Sequence, residues 1–347
     1  MLGVSRATVS NAFNRPDQLS SELRQRILEA ARVAGYVGPD PTARALSRGT
    51  QGTVGLVLTE QLSYAFSDPA AVLVLEGIAR ACEEGETGLL LVPVTTTKDG
   101  SQTRAINAAA VDAFALYSVS DDDPIVETAL ARSIPTVMID QPMLEGVPYV
   151  GHDHRSAARL ALEHLLALGH RRVAVLAYRL TPERHSGEVT RQQQLDAGYH
   201  HTRARLQGYR DALRAHGLDW DLLTFFESPS NDPAGGAASA AALLQGQGAP
   251  TAILTDSDQL AIGALQAAAD AGISVPDDLS LVGMDDIPAA RMVTPALTTV
   301  RQPMIEKGHA AGRILLGKSP RKKRVVLPVE LIVRESTAPA PAERRTR

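Results

Sequence analysis

The chain has 347 residues and a mass of 36.9 kDa, with 44% hydrophobic and 21% charged residues, enough for two or three packed domains that need no covalent staples. A single cysteine, Cys82, excludes an intramolecular disulfide framework and any multi-cysteine zinc or iron–sulfur site; no apolar run approaches the roughly 18 residues of a membrane span, and Met1–Arg6 holds no apolar signal core, so a cytoplasmic protein with no membrane partner is expected. The net charge of -4 excludes a nucleic-acid coat over the whole surface, yet residues 1–50 hold seven arginines against four acids, so a head of +3 precedes a body of −7 and can attract phosphates.

Ser5 suits the N-cap of a helix running to Asn14, with Val9, Ala12 and Phe13 at apolar i, i+3, i+4 spacing. Asn14-Arg15-Pro16-Asp17 breaks it. Ser20 or Ser21 caps a second helix with Glu22 in its first turn. Leu23, Ile27, Ala30, Ala31 and Ala34 line one face of that helix, and Gly35 ends it. Pro39 and Pro41 then bound Thr42-Ala43-Arg44-Ala45-Leu46, a short run of helix formers closed by Gly49 and Gly52. From Thr53 the pattern changes to apolar strands separated by helices: strands at 53–58, 88–94, 112–116 and 135–139, a crossing near Val150, a helix at 156–168, then strands at 172–176, 222–226, 251–255 and 279–283 with helices between them. A helix at 303–316 and a strand at 325–333 come last, followed by a Pro/Ala/Arg-rich tail.

Continuous apolar strands alternating with helices predict parallel sheets covered on both faces. Two such runs predict an α/β body of two doubly wound lobes, with ligands bound in a cleft at the carboxyl ends of the strands. The polar stretch 178–202, with Pro182, Gly187 and Gln192-Gln193-Gln194, has no clear period and is expected to be a lid beside the cleft.

Val4-Ser5-Arg6-Ala7-Thr8-Val9-Ser10-Asn11-Ala12-Phe13-Asn14, the Arg26-Ile27 to Gly35-Tyr36 segment and Pro41 to Leu46 resemble the lactose-repressor/galactose-repressor family of bacterial transcription regulators, and the resemblance covers nearly the whole chain. It implies a helix-turn-helix head over 1–38, a hinge over 39–50, a two-lobed effector-binding and dimerisation domain over 51–335 and a disordered tail over 336–347. Lobe one would take 51–151 plus 303–335, and lobe two 152–302. It further implies a repressor that binds double-stranded operator DNA as a homodimer, periplasmic-binding-protein-like in its body and controlled by a small-molecule effector. Arg6, Ala7 and Asn11 would face base edges, Ser5, Thr8 and Ser10 would hydrogen-bond phosphates, and Arg44 and Leu46 belong to a hinge that enters the minor groove, with Leu46 as the wedge. Family members carry a helix before the turn, whereas Met1-Leu2 alone precede Gly3-Val4-Ser5, so weak operator binding by the chain as written, or a pure ligand sensor, is the alternative expectation.

Polar residues just after apolar strands select Asp140, Asp256, Asp258 and Asp285 as cleft candidates. The resemblance points within these to Asp258, in Thr255-Asp256-Ser257-Asp258-Gln259, and to Arg205, in Arg203-Ala204-Arg205-Leu206-Gln207-Gly208-Tyr209, as effector anchors, with Asp140 at the end of the fourth strand. Tyr64 and Phe66 are candidates for an aromatic wall or for loop packing, and the position where the family carries an aromatic on the far wall holds Ser230 or Asn231.

Three other motifs are read structurally. Gly312 to Ser319 matches GxxxxGK[ST] letter for letter, but a helix precedes it and Pro320 follows, so it is expected to be a helix end with a basic turn. His152-Asp153-His154 puts two histidines on one strand face with no third ligand at a diagnostic spacing, so a cleft-lining loop and no metal are expected. No nucleophile elbow or dinucleotide fingerprint appears, so neither an enzyme nor a cofactor is expected, and an exported sugar-binding protein of the same architecture is disfavoured by the absent signal segment.

Overall fold

The computed structural model describes residues 3–38, 49–59, 61–94, 101–180, 185–245, 248–319 and 324–341. Two compact units divide the chain, one of residues 1–52 with 110–112 and the other of residues 53–109 with 113–347.

In the first unit the Ser5 hydroxyl caps α1 (Arg6–Asn14) by accepting from the Thr8 N–H. Ser20 does the same for α2 (Ser21–Val33) through the Leu23 N–H. Ala12 and Ile27 are fully buried between the two helices, and Phe13 meets Tyr36 edge to face with ring centroids 5.7 Å apart. Gly35 adopts a left-handed φ of 69° that lets the chain reverse, so that the Tyr36 N–H reaches the Ala31 carbonyl. Arg44 and Leu46, the hinge candidates, lie outside the described residues.

The second unit is the expected pair of lobes. Lobe one holds β1 (Thr53–Leu58), α3 (Tyr64–Ser67), α4 (Pro69–Glu84), β2 (Gly88–Pro93), α5 (Ser101–Ala108), β3 (Ala113–Tyr117), α6 (Pro124–Ala131), β4 (Thr136–Ile139) and β5 (Tyr149–His152). Lobe two holds α7 (His154–Ala167), β6 (Val173–Ala177), β7 (Gly187–Glu188), α8 (Arg191–Leu195), α9 (His200–Ala215), β8 (Leu223–Glu227), α10 (Pro233–Leu244), β9 (Ala252–Thr255), α11 (Asp258–Asp270), β10 (Ser280–Asp285) and β11 (Thr298–Arg301). The chain then returns to lobe one as α12 (Met304–Leu315) and β12 (Arg324–Leu327), and crosses again to β13 (Glu330–Ile332).

The first sheet runs β12-β5-β4-β3-β1-β2 and is parallel throughout; the second runs β13-β11-β10-β9-β6-β8-β7 and is parallel except at its edge strands β13 and β7. In each lobe the first strand sits inside the sheet, so the strand order reverses beside it and opens a crevice at the carboxyl ends. The return of α12 is fixed by close packing: a Cβ on Gly77 would fall 2.1 Å from the Ile305 carbonyl, and one on Gly308 2.1 Å from that of Val74, so glycine alone lets α4 and α12 approach this closely. That approach carries Lys307 into the interior beneath the cleft.

Three sequence expectations are corrected. The predicted strand 325–333 is two strands in different sheets, because Pro328-Val329 carries the chain between lobes and β13 pairs antiparallel with β11. Residues 328–335 therefore leave lobe one. The predicted tail is packed on lobe two as far as residue 341: Ser336 is fully buried with its hydroxyl donating to the Leu281 carbonyl, and the Ala338 carbonyl accepts from Ser280. Much of the predicted lid is lobe-two structure, with Leu180, Val189, Ala197 and Tyr199 buried and the Trp220 indole N–H donating to Gln194. The Gly312–Ser319 motif is a helix end, as expected, with Gly317 left-handed just past α12 and the Lys318 N–H returning to the Arg313 carbonyl. Among the described residues no helix is long and apolar enough to cross a membrane.

Candidate functional site

A cavity of about 160 Å³ lies between the lobes at the carboxyl ends of both sheets. Strand ends deliver most of its polar lining: Tyr117 ends β3, Asp140 follows β4, Asp256 follows β9, Asp285 ends β10 and Gln302 follows β11. Asp140 and Asp285 turn into the cleft with left-handed φ values of 64° and 122°. Such backbone in non-glycine residues costs of order 1–3 kcal/mol and concentrates at functional sites.

Three charged side chains of the cavity, Arg205, Asp256 and Asp140, are paired where they stand. Arg205, on α9, donates to the Asp256 carboxylate at 2.9 Å and to its backbone carbonyl at 3.2 Å. Burial disfavours the guanidinium charge, but Asp256, with Tyr209 and Asp285, outweighs it and raises the Arg205 pKa. Lys307 donates to Asp140 Oδ2 at 2.5 Å from a fully buried position. Burial opposes ionisation of Asp140, but the Lys307 charge and His152 overcome it and hold the carboxyl well below the usual carboxylate range. Asp285 is shifted the other way, burial and then the neighbouring Asp258 pushing its pKa well up, and Gln302 donates to its Oδ1 at 2.9 Å. Tyr64 Oη accepts from Asn231 Nδ2 at 3.0 Å across the two lobes, and Ser257 Oγ donates to Asn231 Oδ1 at 2.5 Å.

Tyr64, Asp140 and Arg205 thus line the cavity, as the sequence led us to expect, together with Asp256, Asp285 and Asn231. Phe66 does not: it is 63% exposed. It stands two residues beyond Tyr64 on the single turn of α3, so it points about 200° away. Asp258 does not line it either. Ser257 caps α11, Asp258 is the first residue of that helix, and its fully buried carboxylate turns into lobe two, accepting from the Ile287 N–H at 2.8 Å and the Thr299 hydroxyl at 2.5 Å. The strand-end rule alone would have found Tyr117; Gln302 follows β11, a strand the sequence reading did not contain, and His201 and Tyr199 come from the aperiodic stretch.

Beneath the cavity, His152 at the end of β5 and His154 at the start of α7 lie beside Asp140 with ring centroids 3.9 Å apart and planes tilted by 53°. Burial keeps both imidazoles neutral, with His152 pushed down to about 4 and His154 well below its ordinary value.

In the first unit Arg6 and Ala7 are exposed at the start of α1, with Ser5 exposed as its cap. Thr8 and Asn11 are partly covered: Thr8 Oγ1 is 2.9 Å from Ser5 Oγ, and Asn11 Nδ2 donates to Gln18 Oε1 at 3.2 Å. Ser10 is also partly buried.

Comparison with known proteins agrees with both units. A periplasmic binding protein-like domain family matches residues 162–337. An HTH-type transcriptional regulator of Mycobacterium tuberculosis is 43% identical over 98% of this chain and 95% of its own length. The HTH-type transcriptional regulator IpsA of Corynebacterium glutamicum is 41% identical over 95% and 92%. Among solved structures, a LacI-family transcriptional regulator of Corynebacterium glutamicum superposes with a TM-score of 0.75 at 36% identity over 98% of this chain and 96% of that one. The transcriptional regulator CelR in complex with cellobiose does so with 0.69 at 28% identity over 96% and 97%.

Proposed function

The chain belongs to the lactose-repressor/galactose-repressor family of bacterial transcription regulators, and from that premise we propose how its residues divide the work. It is a DNA-binding regulator under the control of a small-molecule effector. The effector is a neutral polyhydroxylated ring of monosaccharide size. One observation carries this reading: the cavity is lined by many hydrogen-bonding groups, and its charges at Asp140, Asp256 and Arg205 are already paired within the protein, Asp140 with Lys307 and Asp256 with Arg205. A volume of about 160 Å³ favours one ring, below the roughly 300–1,000 Å³ of pockets for larger ligands. The CelR complex with cellobiose supports the sugar class.

Arg205 and Asp256 anchor ring hydroxyls, each bond to a charged group being worth about 1.5–3 kcal/mol, while Tyr64 and Tyr117 give the ring an apolar wall. In the head, Arg6, Ala7 and Asn11 read base edges and Ser5, Thr8 and Ser10 hold phosphates; Arg44 and Leu46 act from the hinge in the minor groove. The active form is a homodimer on a two-fold operator, and the partly exposed Val72 and Leu90 of lobe one support an interface there.

Calorimetry of the full chain against neutral monosaccharides and cyclitols, and against their phosphorylated and carboxylated counterparts, tests the ligand class. A neutral polyol binds, and Arg205→Gln weakens it at least about tenfold, the loss of one charge-assisted bond. Binding of only the anionic compounds refutes the reading.

A further inference from the structure

Among the described residues, four ring nitrogens beneath the cavity find no hydrogen-bond partner: Nδ1 and Nε2 of both His152 and His154. Asp140 Oδ1 is equally bare, its other oxygen being taken by Lys307. All three residues are more than nine-tenths buried. Leaving one buried polar atom unmet costs about 1–3 kcal/mol, so five in one place call for an occupant.

The spacing identifies its class. Asp140 Oδ1 is 3.4 Å from His152 Nδ1 and 3.8 Å from His154 Nε2, and one donor atom from each residue falls within 4.8 Å of the others. Ligands bound at about 2.0–2.2 Å around a tetrahedral Zn²⁺ stand roughly 3.3–3.6 Å apart, so sub-ångström shifts close the set. Each imidazole has a ring nitrogen that can offer a lone pair, and the carboxylate adds an anionic oxygen. Two imidazoles and one carboxylate suit a divalent transition metal rather than Mg²⁺ or Ca²⁺, which take oxygen donors. The third donor, missing from the local His-x-His spacing, comes from the end of a different strand.

We infer that Asp140, His152 and His154 form a three-donor site for a divalent transition-metal ion of the Zn²⁺ type, at the floor of the interlobe cleft. Asp140 and His154 both line the cavity, so the remaining coordination position faces it and presents a Lewis acid to a water or an effector oxygen. The nearby cations Lys307 and Arg205 are paired with Asp140 Oδ2 and Asp256, which leaves Asp140 Oδ1 for the ion. The inference does not depend on the sugar reading, because metal binding is measured without any effector.

The test is a Co²⁺ titration of the full chain after dialysis against chelator, read by visible d–d absorption, followed by Zn²⁺ competition with a chromophoric chelator. We expect one ion per chain. His152→Gln and His154→Gln should each weaken binding at least about tenfold, whereas His309→Gln, a half-buried histidine on α12 paired with Glu84, should leave affinity within about twofold. Circular dichroism and Trp220 fluorescence verify folding of each variant; if His152→Gln does not fold, His154→Gln and the wild-type spectrum decide. Absence of stoichiometric binding by the folded wild-type chain overturns the inference, as does binding that survives both substitutions or is lost in His309→Gln.

Discussion

Asp258 is the residue whose role changes most between sequence and structure, and replacing it with alanine separates the two. If it anchors the effector, Asp258→Ala lowers ligand affinity and spares the fold. The structure leads to the reverse. Its carboxylate accepts from the Ile287 N–H and the Thr299 hydroxyl, both on fully buried residues of lobe two. Alanine strands both donors, at about 1–3 kcal/mol each, so a loss of roughly 2–6 kcal/mol is expected. Trp220 is the only tryptophan and stacks on Phe225 within lobe two at 5.4 Å, so its fluorescence reports unfolding of that lobe. With a urea slope of about 3 kcal/mol/M the midpoint falls by roughly 1–2 M. In calorimetry below the transition, ligand affinity changes by less than about threefold, because Asp258 does not touch the cavity. An unchanged midpoint together with a tenfold loss of affinity refutes this account.

Two more outcomes follow. Burial pushes the Asp258 carboxyl up to about 7, against about 3.9 in an unfolded chain; the native state then keeps a proton that the unfolded state has released, so this contribution is complete below about pH 4 and is lost as pH rises toward 7. Asp258→Asn should therefore show a shallower decline in urea midpoint from pH 4 to 7 than the wild type, and an identical slope counts against a raised pKa. A chain of residues 53–347 should sediment as a dimer, because that unit holds both sheets and the exposed apolar side chains of lobe one; a monomer there would place the dimer contact in the head.

The alternation of apolar strand and helix made both lobes legible, because a strand buried on both faces must read as a continuous apolar run. Val54 to Leu58 and Val173 to Ala177 are examples. The same rule located Asp140, Asp256 and Asp285, since the first polar residue after such a run must leave the sheet where the cleft is. It could not choose between Asp256 and Asp258: two residues apart, they would share a face of a strand, but the chain turns into α11 at Ser257 and sends the second one inward. Nor could local spacing show β12 and β13 in separate sheets, because the division is made by Pro328 and by pairing with β11 far away in sequence. The histidine pair was visible as letters and incomplete as a site, since its third donor depends on β4 and β5 lying side by side.

Side-chain contacts join the lobes across the cleft, and this constrains how an effector can act. Asn231 of lobe two donates to Tyr64 of lobe one at 3.0 Å, the His201 ring stands 2.8 Å from Gln141 Oε1, and Arg203 pairs with Asp121. A molecule that only filled the cavity, binding open and closed arrangements equally, would leave their balance where it was. To shift it, the ligand must gain or break contacts that depend on lobe separation. Arg205 and Asp256 both belong to lobe two and keep their geometry as the lobes move, so they supply affinity. Tyr64–Asn231 and Gln141–His201 are contacts between the lobes, so a dependence of binding on lobe separation acts through them. Contacts within lobe two thus supply affinity and contacts that span the lobes supply coupling, with Tyr64 taking part in both.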